Sequence, residues 1–347
     1  EFHEVFPSFH IPKSFADYEL DEDGGGQGSL GIVMRFDRPN GTRSLAVKKY
    51  VNPEESMEKM RETIREIELV KTTSNENLVK YVTSYTVPST GPNNPESHYL
   101  ITEYGGELLS SRIKDGHTLQ YSMEDVKKWT REMLRGVQYL HSKGVSYTEM
   151  NPTNVAIGKE NQIVLLDLGK NCKRAVKREV ATRHYLSFEQ LVDWIGEYGK
   201  KVDVWRIGVI VGELITGQPL FRGDTLRLQV QYCGVNDALL DKVRSRQNDI
   251  REMARTQKDL MEHLQSSMIP ERAISGIRDL SAVPGLADFL ERCLRLDLDL
   301  RISTAAALSH EFLRFTPSWE INGTGNKAEA MTQLRNLIYD EAAPSSL

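Results

Sequence analysis

Carboxylates and amides in two short stretches are the groups of this sequence best suited to chemistry. Glu149, Asn151 and Asn154 lie within residues 144–156, and Asp167 comes thirteen positions after Asn154. Asp167 stands between a short apolar segment and a glycine. Because hard divalent cations prefer oxygen ligands, an acid held at such a turn is a good candidate for a cation site.

A glycine-rich stretch lies much earlier in the chain. Gly26, Gly28 and Gly31 form the pattern G-x-G-x-x-G, and Val33 follows it. Glycine lets a backbone approach phosphate groups closely, but glycine-rich turns between strands are common, so a plain hairpin is the alternative interpretation. A dinucleotide site would need a helix directly after the glycines. Residues 32–36 instead predict a strand, which argues against that class of site.

The next elements supply a lysine and a matching acid. Asn40-Gly41 predicts a hairpin turn, and the strand that follows, residues 45–48, ends at Lys48. A lone lysine at a strand end is usually solvated. Residues 54–71 have an apolar stripe at helical spacing, formed by Ile64, Ile67 and Val70. Glu66 lies on the flank of this stripe, where it could reach Lys48; the alternative is a surface carboxylate that pairs within its own helix.

Composition narrows the class of protein. The chain has 347 residues, 39% of them hydrophobic, which is enough for a large core in one domain or two lobes. Its net charge of -5 gives no electrostatic reason to expect nucleic acid or a membrane as partner. No apolar run approaches the roughly 20 residues of a membrane-spanning helix, and no signal-peptide pattern occurs. The three cysteines lack disulfide or metal spacing, which favours a reducing cytosolic compartment, and the start at Glu1 suggests a fragment or a cloning remnant.

The second half of the chain has mainly helical patterns. Ser122 and Asp125 form a capping box that starts a long amphipathic helix, and Gly144 marks its end. The apolar face of this helix consists of Val126, Trp129, Met133, Leu134, Val137 and Leu140. Residues 202–215 are apolar nearly all round, which predicts a buried helix that ends at Gly217.

The stretch around Glu149 resembles a known motif. Residues 147–154 read Tyr-Thr-Glu-Met-Asn-Pro-Thr-Asn, and Asp167-Leu168-Gly169 follows. They resemble the catalytic loop and metal-binding turn of protein kinases, H-R-D-L-K-P-x-N and D-F-G, with several changes. The glycine pattern, Lys48 and Glu66 occur in the same order as in that family.

Two further segments narrow the resemblance. Residues 180–185, Val-Ala-Thr-Arg-His-Tyr, are very similar to a segment of the mitogen-activated protein kinases, and so is the tail segment 334–342. The stress-activated, dual-phosphorylated branch is the most similar. The resemblance covers about residues 10–345.

The resemblance implies an α+β, bilobal protein kinase fold, with a small β-rich N-lobe that contains one helix and a larger α-helical C-lobe. The implied divisions are an N-terminal arm at 1–16, the N-lobe at 17–104, the C-lobe at 105–316, an insert of the mitogen-activated type at about 222–275, and a C-terminal extension at 317–347 that packs back on the N-lobe. The insert could be a binding platform, and a solvated helical pair is the alternative.

The same resemblance assigns roles to site residues. Asn154 and Asp167 would bind Mg²⁺, and Lys48, Glu149 and Asn151 stand at catalytic positions. The nucleotide ATP would contact Gly26, Gly28, Gly31, Val33, Ala46, Lys48, Glu66, Thr102, Glu103, Tyr104 and Gly105. Within this set, the Lys48–Glu66 ion pair would direct the lysine to the α- and β-phosphates, and the backbone of residues 103–105 would hydrogen-bond the adenine.

The chain also departs from the family at several catalytic positions. Glu149 replaces the shorter aspartate base, Thr148 replaces an arginine that grips a phosphorylated activation segment, and Asn151 replaces a lysine near the transferring phosphoryl group. Tyr147 replaces a packing histidine. Lys177-Arg178-Glu179 occupy the dual phosphorylation site, so no hydroxyl remains there.

Two structural roles and one property of partner docking are also implied. Glu189 would form a buried pair with Arg301, and Asp203 would hold the backbone of the catalytic loop. Residues 315–322 contain a single acid where the family has an acidic cluster, so basic docking peptides are expected to bind weakly.

We therefore expect a pseudokinase or very weak kinase that binds Mg·ATP and acts as a scaffold or allosteric regulator in a kinase signalling pathway. The alternative is an atypical, phosphorylation-independent Ser/Thr protein kinase that uses Glu149 as base, and a nucleotide-sensing switch is a third hypothesis. Partners would be other signalling proteins rather than nucleic acid or membranes, in the cytoplasm or the nucleus.

Overall fold

The computed structural model describes most of the chain between residues 15 and 314. The described ranges are 15–27, 31–41, 43–50, 57–89, 96–114, 121–168, 180–192, 194–196, 198–268, 274, 277 and 279–314. The predicted extension at 317–347, most of the arm at 1–16, the docking segment 315–322 and residues 177–179 lie outside these ranges.

A five-stranded antiparallel sheet forms the first half of the described chain. Its strands are β1 (Glu19–Gln27), β2 (Gly31–Asp37), β3 (Ser44–Tyr50), β4 (Tyr81–Val87) and β5 (Ser97–Glu103), in the order β1-β2-β3-β5-β4. The helix α1 (Met57–Thr72) lies between β3 and β4 in sequence. The predicted turn at Asn40-Gly41 is confirmed, because Gly41 has a positive φ of 67° and joins β2 to β3.

The two faces of this sheet have different surroundings. One face packs its own small core, formed by Tyr18, Met34, Phe36, Leu45, Val47, Tyr99 and Ile101. Side chains alternate along strands, so the neighbouring residues point to the other face. Strand register sets Val33 opposite Lys48, and Ala46 opposite Thr102, on that second face.

Helix α1 is rotated relative to its predicted stripe. Ile64 is 53% exposed, whereas Glu66 is 2% exposed and lies on the buried face with Thr63 and Val70. The prediction that Ile64 belongs to the packed face is therefore wrong, and Glu66 is central rather than flanking. The physical reason is that an ion pair with Lys48 turns the acid inward and leaves the isoleucine to solvent.

The second half of the described chain is helical, which confirms the predicted α+β class. A small sheet, β6 (Glu107–Leu108), β7 (Val155–Ile157) and β8 (Ile163–Leu165), accompanies eleven described α-helices in total, α1 included. The remaining ten are α2 (Leu109–Lys114), α3 (Met123–Ser142), α4 (Phe188–Leu191), α5 (Lys201–Thr216), α6 (Thr225–Cys233), α7 (Asp237–Leu240), α8 (Gln247–Ala254), α9 (Leu260–Ser267), α10 (Leu286–Cys293) and α11 (Thr304–Leu308). In the part of the chain that the structure describes, no helix has the length and apolarity that a bilayer span requires.

The predicted long helices are confirmed. The capping box of α3 is present, because the Ser122 hydroxyl accepts from Asp125 N and the Asp125 carboxylate accepts from Ser122 N at 2.8 Å. Helix α5 is buried nearly throughout, and Gly217 ends it with a left-handed φ of 72°. The insert region differs from the predicted helical pair, because α6 to α9 are four short helices with buried apolar residues such as Leu226 and Leu264.

Backbone hydrogen bonds join the two halves beside the predicted site. Leu165 N–H donates to Asn77 O at 2.8 Å, and Val79 N–H donates to Leu165 O at 3.0 Å. The Asn77 side chain also donates to Ile163 O. The strand that leads to Asp167 is thereby fixed to the segment that leads into β4.

A buried ion pair holds the start of α4 against the end of the helical half. Arg301 donates through Nη1 and Nη2 to the two carboxylate oxygens of Glu189, at 2.7 and 2.8 Å. Both side chains are fully inaccessible to solvent. The predicted structural pair is therefore confirmed, and its two-pronged geometry satisfies both charges.

Glu189→Gln should destabilise the fold by about 3–5 kcal/mol, because it leaves the buried Arg301 charge without compensation. Denaturant unfolding measures the loss. Glu291→Gln is the matched control: it removes an exposed carboxylate 3.8 Å from Arg295 and should change stability by less than about 0.5 kcal/mol. Equal effects of the two substitutions would contradict the assigned role of the buried pair.

Candidate functional site

Lys48 joins three elements: the strand β3 that carries it, the helix α1 and the segment that follows β8. Its Nζ lies 2.7 and 2.8 Å from the two carboxylate oxygens of Glu66 on α1, and 2.8 Å from Oδ1 of Asp167. The lysine and Glu66 are nearly buried, whereas the Asp167 side chain is 23% exposed. The predicted Lys48–Glu66 contact is thus present, and the structure adds Asp167 to it.

The charges in this cluster shift one another's protonation. Burial would lower the pKa of Lys48, but the nearby carboxylates of Asp167 and Glu66 outweigh it and raise the pKa well above its usual value. Burial raises the pKa of Glu66 to about 7; Lys48 opposes the shift and Asp167 adds to it. One lysine therefore neutralises two carboxylates only in part, which leaves room for a further cation beside Asp167.

The face that carries Lys48 also carries the small residues predicted to line a nucleotide pocket. Val33, Ala46 and Thr102 lie on this face by strand register, and Thr102 is buried. A Cβ on Gly31 would stand 2.2 Å from Lys49 O, so glycine is needed there for the close pairing of β2 and β3. Gly26 is exposed with open space around its Cβ position, and Gly28 lies outside the described residues.

The segment after β5, whose backbone is predicted to hydrogen-bond an adenine, uses two of its N–H groups within the protein. Glu103 N–H donates to Lys80 O at 2.9 Å, and Tyr104 N–H donates to Ser44 O at 3.0 Å. The N–H groups of Glu103 and Tyr104 are therefore occupied by other parts of the described chain, and an adenine contact through a backbone donor would fall to Gly105. The next residue, Gly106, has a φ of 112°. Glycine is required there because a Cβ would lie 2.1 Å from Ile157 O.

Asp203 of α5 holds the backbone of the catalytic loop, as predicted. Its Oδ2 accepts from Tyr147 N–H at 3.0 Å and its Oδ1 accepts from Thr148 N–H at 2.6 Å. The Nε2 of His141 lies 2.7 Å from the same carboxylate. Thr148 has a φ of 54°, a conformation that costs a non-glycine residue on the order of 1 kcal/mol or more, and the buried carboxylate fixes it there.

The amides of the loop close it from the inside. Asn154 Nδ2 donates to Glu149 O at 2.9 Å, and Asn151 Nδ2 donates to the same carbonyl oxygen at 2.9 Å. Asn151 Oδ1 accepts from Thr153 N–H and from its hydroxyl. Asn151 is 3% exposed and Glu149 is 6% exposed, so both residues are almost inaccessible to solvent.

Tyr147 connects the catalytic loop to the metal-binding turn. It is fully buried, and its hydroxyl lies within hydrogen-bonding distance of the carbonyl oxygens of Leu166 and, at 3.2 Å, of Asn154. Burial and the negative charges of Asp167, Glu149 and Asp203 hold its pKa far above the usual value, so the phenol stays neutral and donates. Tyr147, which the resemblance places where a packing histidine is expected, thus links the loop to the segment before Asp167 through its hydroxyl.

The two residues predicted to bind a cation, Asn154 and Asp167, lie next to each other. Leu166 N–H donates to Asn154 O at 2.9 Å, which brings Asp167 next to Asn154. Asn154 Nδ2 donates within the loop, so Oδ1 is the atom of this amide that could bind a cation. Among the described residues, no group of three or more His, Cys, Asp or Glu could hold a metal alone. One carboxylate and one amide fit Mg²⁺, which usually takes one or two protein oxygens together with substrate phosphates.

Two residues that contact this machinery were not identified from the sequence. His141 borders Asp203, and Arg206 of α5 donates to Met150 O at 3.1 Å. Arg206 is fully buried. A signal for Arg206 existed, because a charged residue inside an otherwise apolar helix is expected only where it has a buried partner.

Comparisons with known proteins point to one family. Residues 22–313 match the family described as Protein kinase domain. The sequence is 31% identical over 297 residues to mitogen-activated protein kinase 14 of Xenopus laevis, over 83% of this chain and 77% of that protein. It is 29% identical to mitogen-activated protein kinase pmk-1 of Caenorhabditis elegans, over 83% and 74% of the two chains. It is 28% identical to mitogen-activated protein kinase 13 of Homo sapiens, over 83% and 76%.

Glu66→Gln should change the pH dependence of stability. Since the folded pKa of about 7 exceeds the ordinary value of 4.5, the contribution of Glu66 is fully present below about pH 4.5 and is lost as pH rises through 7. Glutamine mimics the protonated acid, so the variant should gain on the order of 1–3 kcal/mol relative to the unaltered protein between pH 5 and pH 8. Thermal unfolding at both pH values measures this.

Glu68→Gln, at an exposed position of the same helix, controls for the loss of one helical carboxylate. A Glu66→Gln variant whose stability relative to the unaltered protein falls between pH 5 and pH 8 would reverse the sign and contradict the raised pKa.

Proposed function

We propose, since the chain belongs to the protein kinase domain family and within it to the mitogen-activated protein kinases, that this protein binds Mg·ATP and transfers phosphate very slowly or not at all. Lys48, Glu66, Asn154 and Asp167 would hold the metal–nucleotide complex. When bound, Mg²⁺ would neutralise phosphate charge. The single observation that carries the proposal is the contrast between Asp167, whose side chain is 23% exposed beside Lys48, and Glu149, which is 6% exposed.

The binding half of the site is supported by its charges and exposure. Lys48 is fixed by two carboxylates at 2.7–2.8 Å, and Asp167 keeps a quarter of its side-chain surface open. The same sheet face carries Val33 and Ala46, apolar side chains on which a purine ring would rest. These features need no phosphorylation of the chain to exist.

The residues at the positions for phosphate transfer are less suited to their predicted roles. A base must reach the substrate hydroxyl, and Glu149 is 6% exposed with one methylene more than aspartate. Misplacement by about 1 Å can cost on the order of 10²-fold in rate, and loss of a general base about 10²–10⁴-fold. Asn151 has its amide committed to the loop backbone and brings no positive charge to a phosphoryl group. These residues act together, so their separate losses in rate are not multiplied.

The biological role we infer is that of a scaffold or allosteric regulator for other members of a kinase signalling pathway. The relatives are themselves mitogen-activated protein kinases, which supports partners of this kind. Cys233 and Cys293 are free thiols, which is compatible with the reducing cytoplasm or nucleus.

A phosphorylation-independent Ser/Thr kinase with Glu149 as base is the second candidate function. The observation in its favour is that the segment after the predicted dual phosphorylation site is held by buried contacts. The Tyr185 hydroxyl donates to Glu213 at 2.6 Å, and Ser187 is fully buried. A substrate-binding platform would then be in place without any phosphate on the chain.

Calorimetric titration tests the binding half. Mg·ATP should bind at micromolar to millimolar concentration, Lys48→Met should weaken the binding with and without the metal, and Asp167→Asn should abolish only the increment that Mg²⁺ adds. The reason is that Lys48 contacts phosphates whereas Asp167 contacts the cation. Absence of both heat and a melting-temperature shift at millimolar Mg·ATP would refute binding.

Glu149→Asp separates the two candidate functions. If the longer side chain is what keeps the rate low, the shorter acid should raise phosphotransfer by about 10²-fold. The double variant Glu149→Asp with Asp167→Asn is the control and should lose the gain. A fall in existing activity on Glu149→Asp would instead favour Glu149 as a working base.

A further inference from the structure

Arg206 is a charged residue in the most deeply buried helix of the protein. Helix α5 carries Asp203 and Arg206 three positions apart, so both side chains leave the helix on nearly the same face. Both are fully inaccessible to solvent. A buried arginine is rare because its desolvation is costly, and it persists where well-placed acceptors surround it.

Arg206 bridges two segments that are far apart in sequence. Its Nη1 donates to Met150 O at 3.1 Å, in the catalytic loop, and its Nη2 donates to Gln190 Oε1 at 3.3 Å, in α4. Gln190 Oε1 also accepts from Ser187 N–H at 3.2 Å, at the N-terminal cap of α4. One guanidinium therefore connects the loop to the end of the activation segment.

Asp203 and Arg206 hold the loop in complementary ways. The carboxylate accepts from the N–H groups of Tyr147 and Thr148, and the guanidinium donates to the carbonyl oxygen of Met150. Glu149 lies between these two anchors, and its own carbonyl oxygen receives the amide of Asn154. Displacement of Met150 would thus move the carbonyl that orients Asn154.

We propose that Arg206 is a positioning residue for the metal: by fixing Met150 O against α4, it sets the position of Glu149 O and so the orientation of the Asn154 amide. The proposal rests on the proposed binding of Mg·ATP at Asn154 and Asp167. It assigns to Arg206 an effect on the Mg²⁺-dependent part of nucleotide binding and none on the part that depends on Lys48.

The metal-dependent and the Lys48-dependent parts of binding should separate because Asn154 and Lys48 are held by different elements. Lys48 is on β3 and is held by Glu66 and Asp167, whereas the hydrogen bonds of Arg206 described above go to Met150 and Gln190. Asn154 depends on the loop instead. Outer partners of metal ligands typically contribute about 10–100-fold to metal affinity or activity. A stability defect alone would lower both parts of binding together or neither.

The experiment compares Arg206→Met, Arg206→Lys and Gln229→Met in the full chain. Gln229 is the matched control, because it is fully buried and donates to Leu186 O at 2.7 Å, which supports the same activation segment without touching the catalytic loop. The readout is the ratio of ATP affinity with Mg²⁺ to ATP affinity without it, measured by calorimetry.

Arg206→Met should lower this ratio by about 10–100-fold, with metal-free affinity unchanged. Arg206→Lys should recover part of the ratio, because an ammonium reaches one acceptor but not both. Gln229→Met should leave the ratio as in the unaltered protein. Equal ratios in all four proteins, or equal losses in Arg206→Met and Gln229→Met, would overturn the inference.

A second readout does not need nucleotide. Amide hydrogen exchange should rise in both 147–154 and 187–192 in Arg206→Met, and only in the second segment in Gln229→Met. If the unaltered protein binds no Mg·ATP, the proposed function fails while this exchange pattern still supports Arg206 as the loop's anchor. Unchanged exchange at 147–154 in Arg206→Met would reject the anchor itself.

Discussion

The carboxylate of Asp203 is the constraint on which the active region depends. It is buried in the hub helix α5, and it takes hydrogen bonds from two successive backbone N–H groups of the catalytic loop and lies 2.7 Å from His141. This arrangement forces Thr148 into a left-handed conformation, from which the rest of the loop follows. The core of the helical half therefore fixes the start of the loop, and the loop's own amides, Asn151 and Asn154, then close the rest of it.

Two halves of the site respond differently to changes in sequence. The cluster of Lys48, Glu66 and Asp167 is electrostatic, and its 2.7–2.8 Å contacts need only the right charges on three rigid elements. Proton transfer needs a side chain at one position within a fraction of an ångström. Under the proposed function, the changes at Tyr147, Glu149 and Asn151 leave the charged cluster in place and lower mainly the step that is sensitive to geometry.

Local patterns in the sequence were enough to predict much of the fold, and resemblance predicted the long-range pairs. Short apolar segments on either side of the Asn40-Gly41 turn predicted β2 and β3, the capping box predicted α3, and the motif positions predicted the Glu189–Arg301 pair. The rotation of α1 was missed because apolar spacing alone places Ile64 inside, whereas a partner 18 residues away draws Glu66 inward. The inward amide of Asn151 and the reach of Arg206 to residues 150 and 190 depend on loop closure and on contacts across 56 and 16 positions, which no local pattern contains.

The measurement that tests the central claim most directly is transfer of the labelled γ-phosphoryl group from Mg·ATP to a generic acceptor and to the protein itself, with protein in excess over nucleotide. The Asp167→Asn variant is run beside it. The account predicts that the unaltered protein saturates with Mg·ATP but incorporates label no faster than the variant. Incorporation that saturates with nucleotide and disappears in Asp167→Asn would contradict the account and make the protein a working kinase.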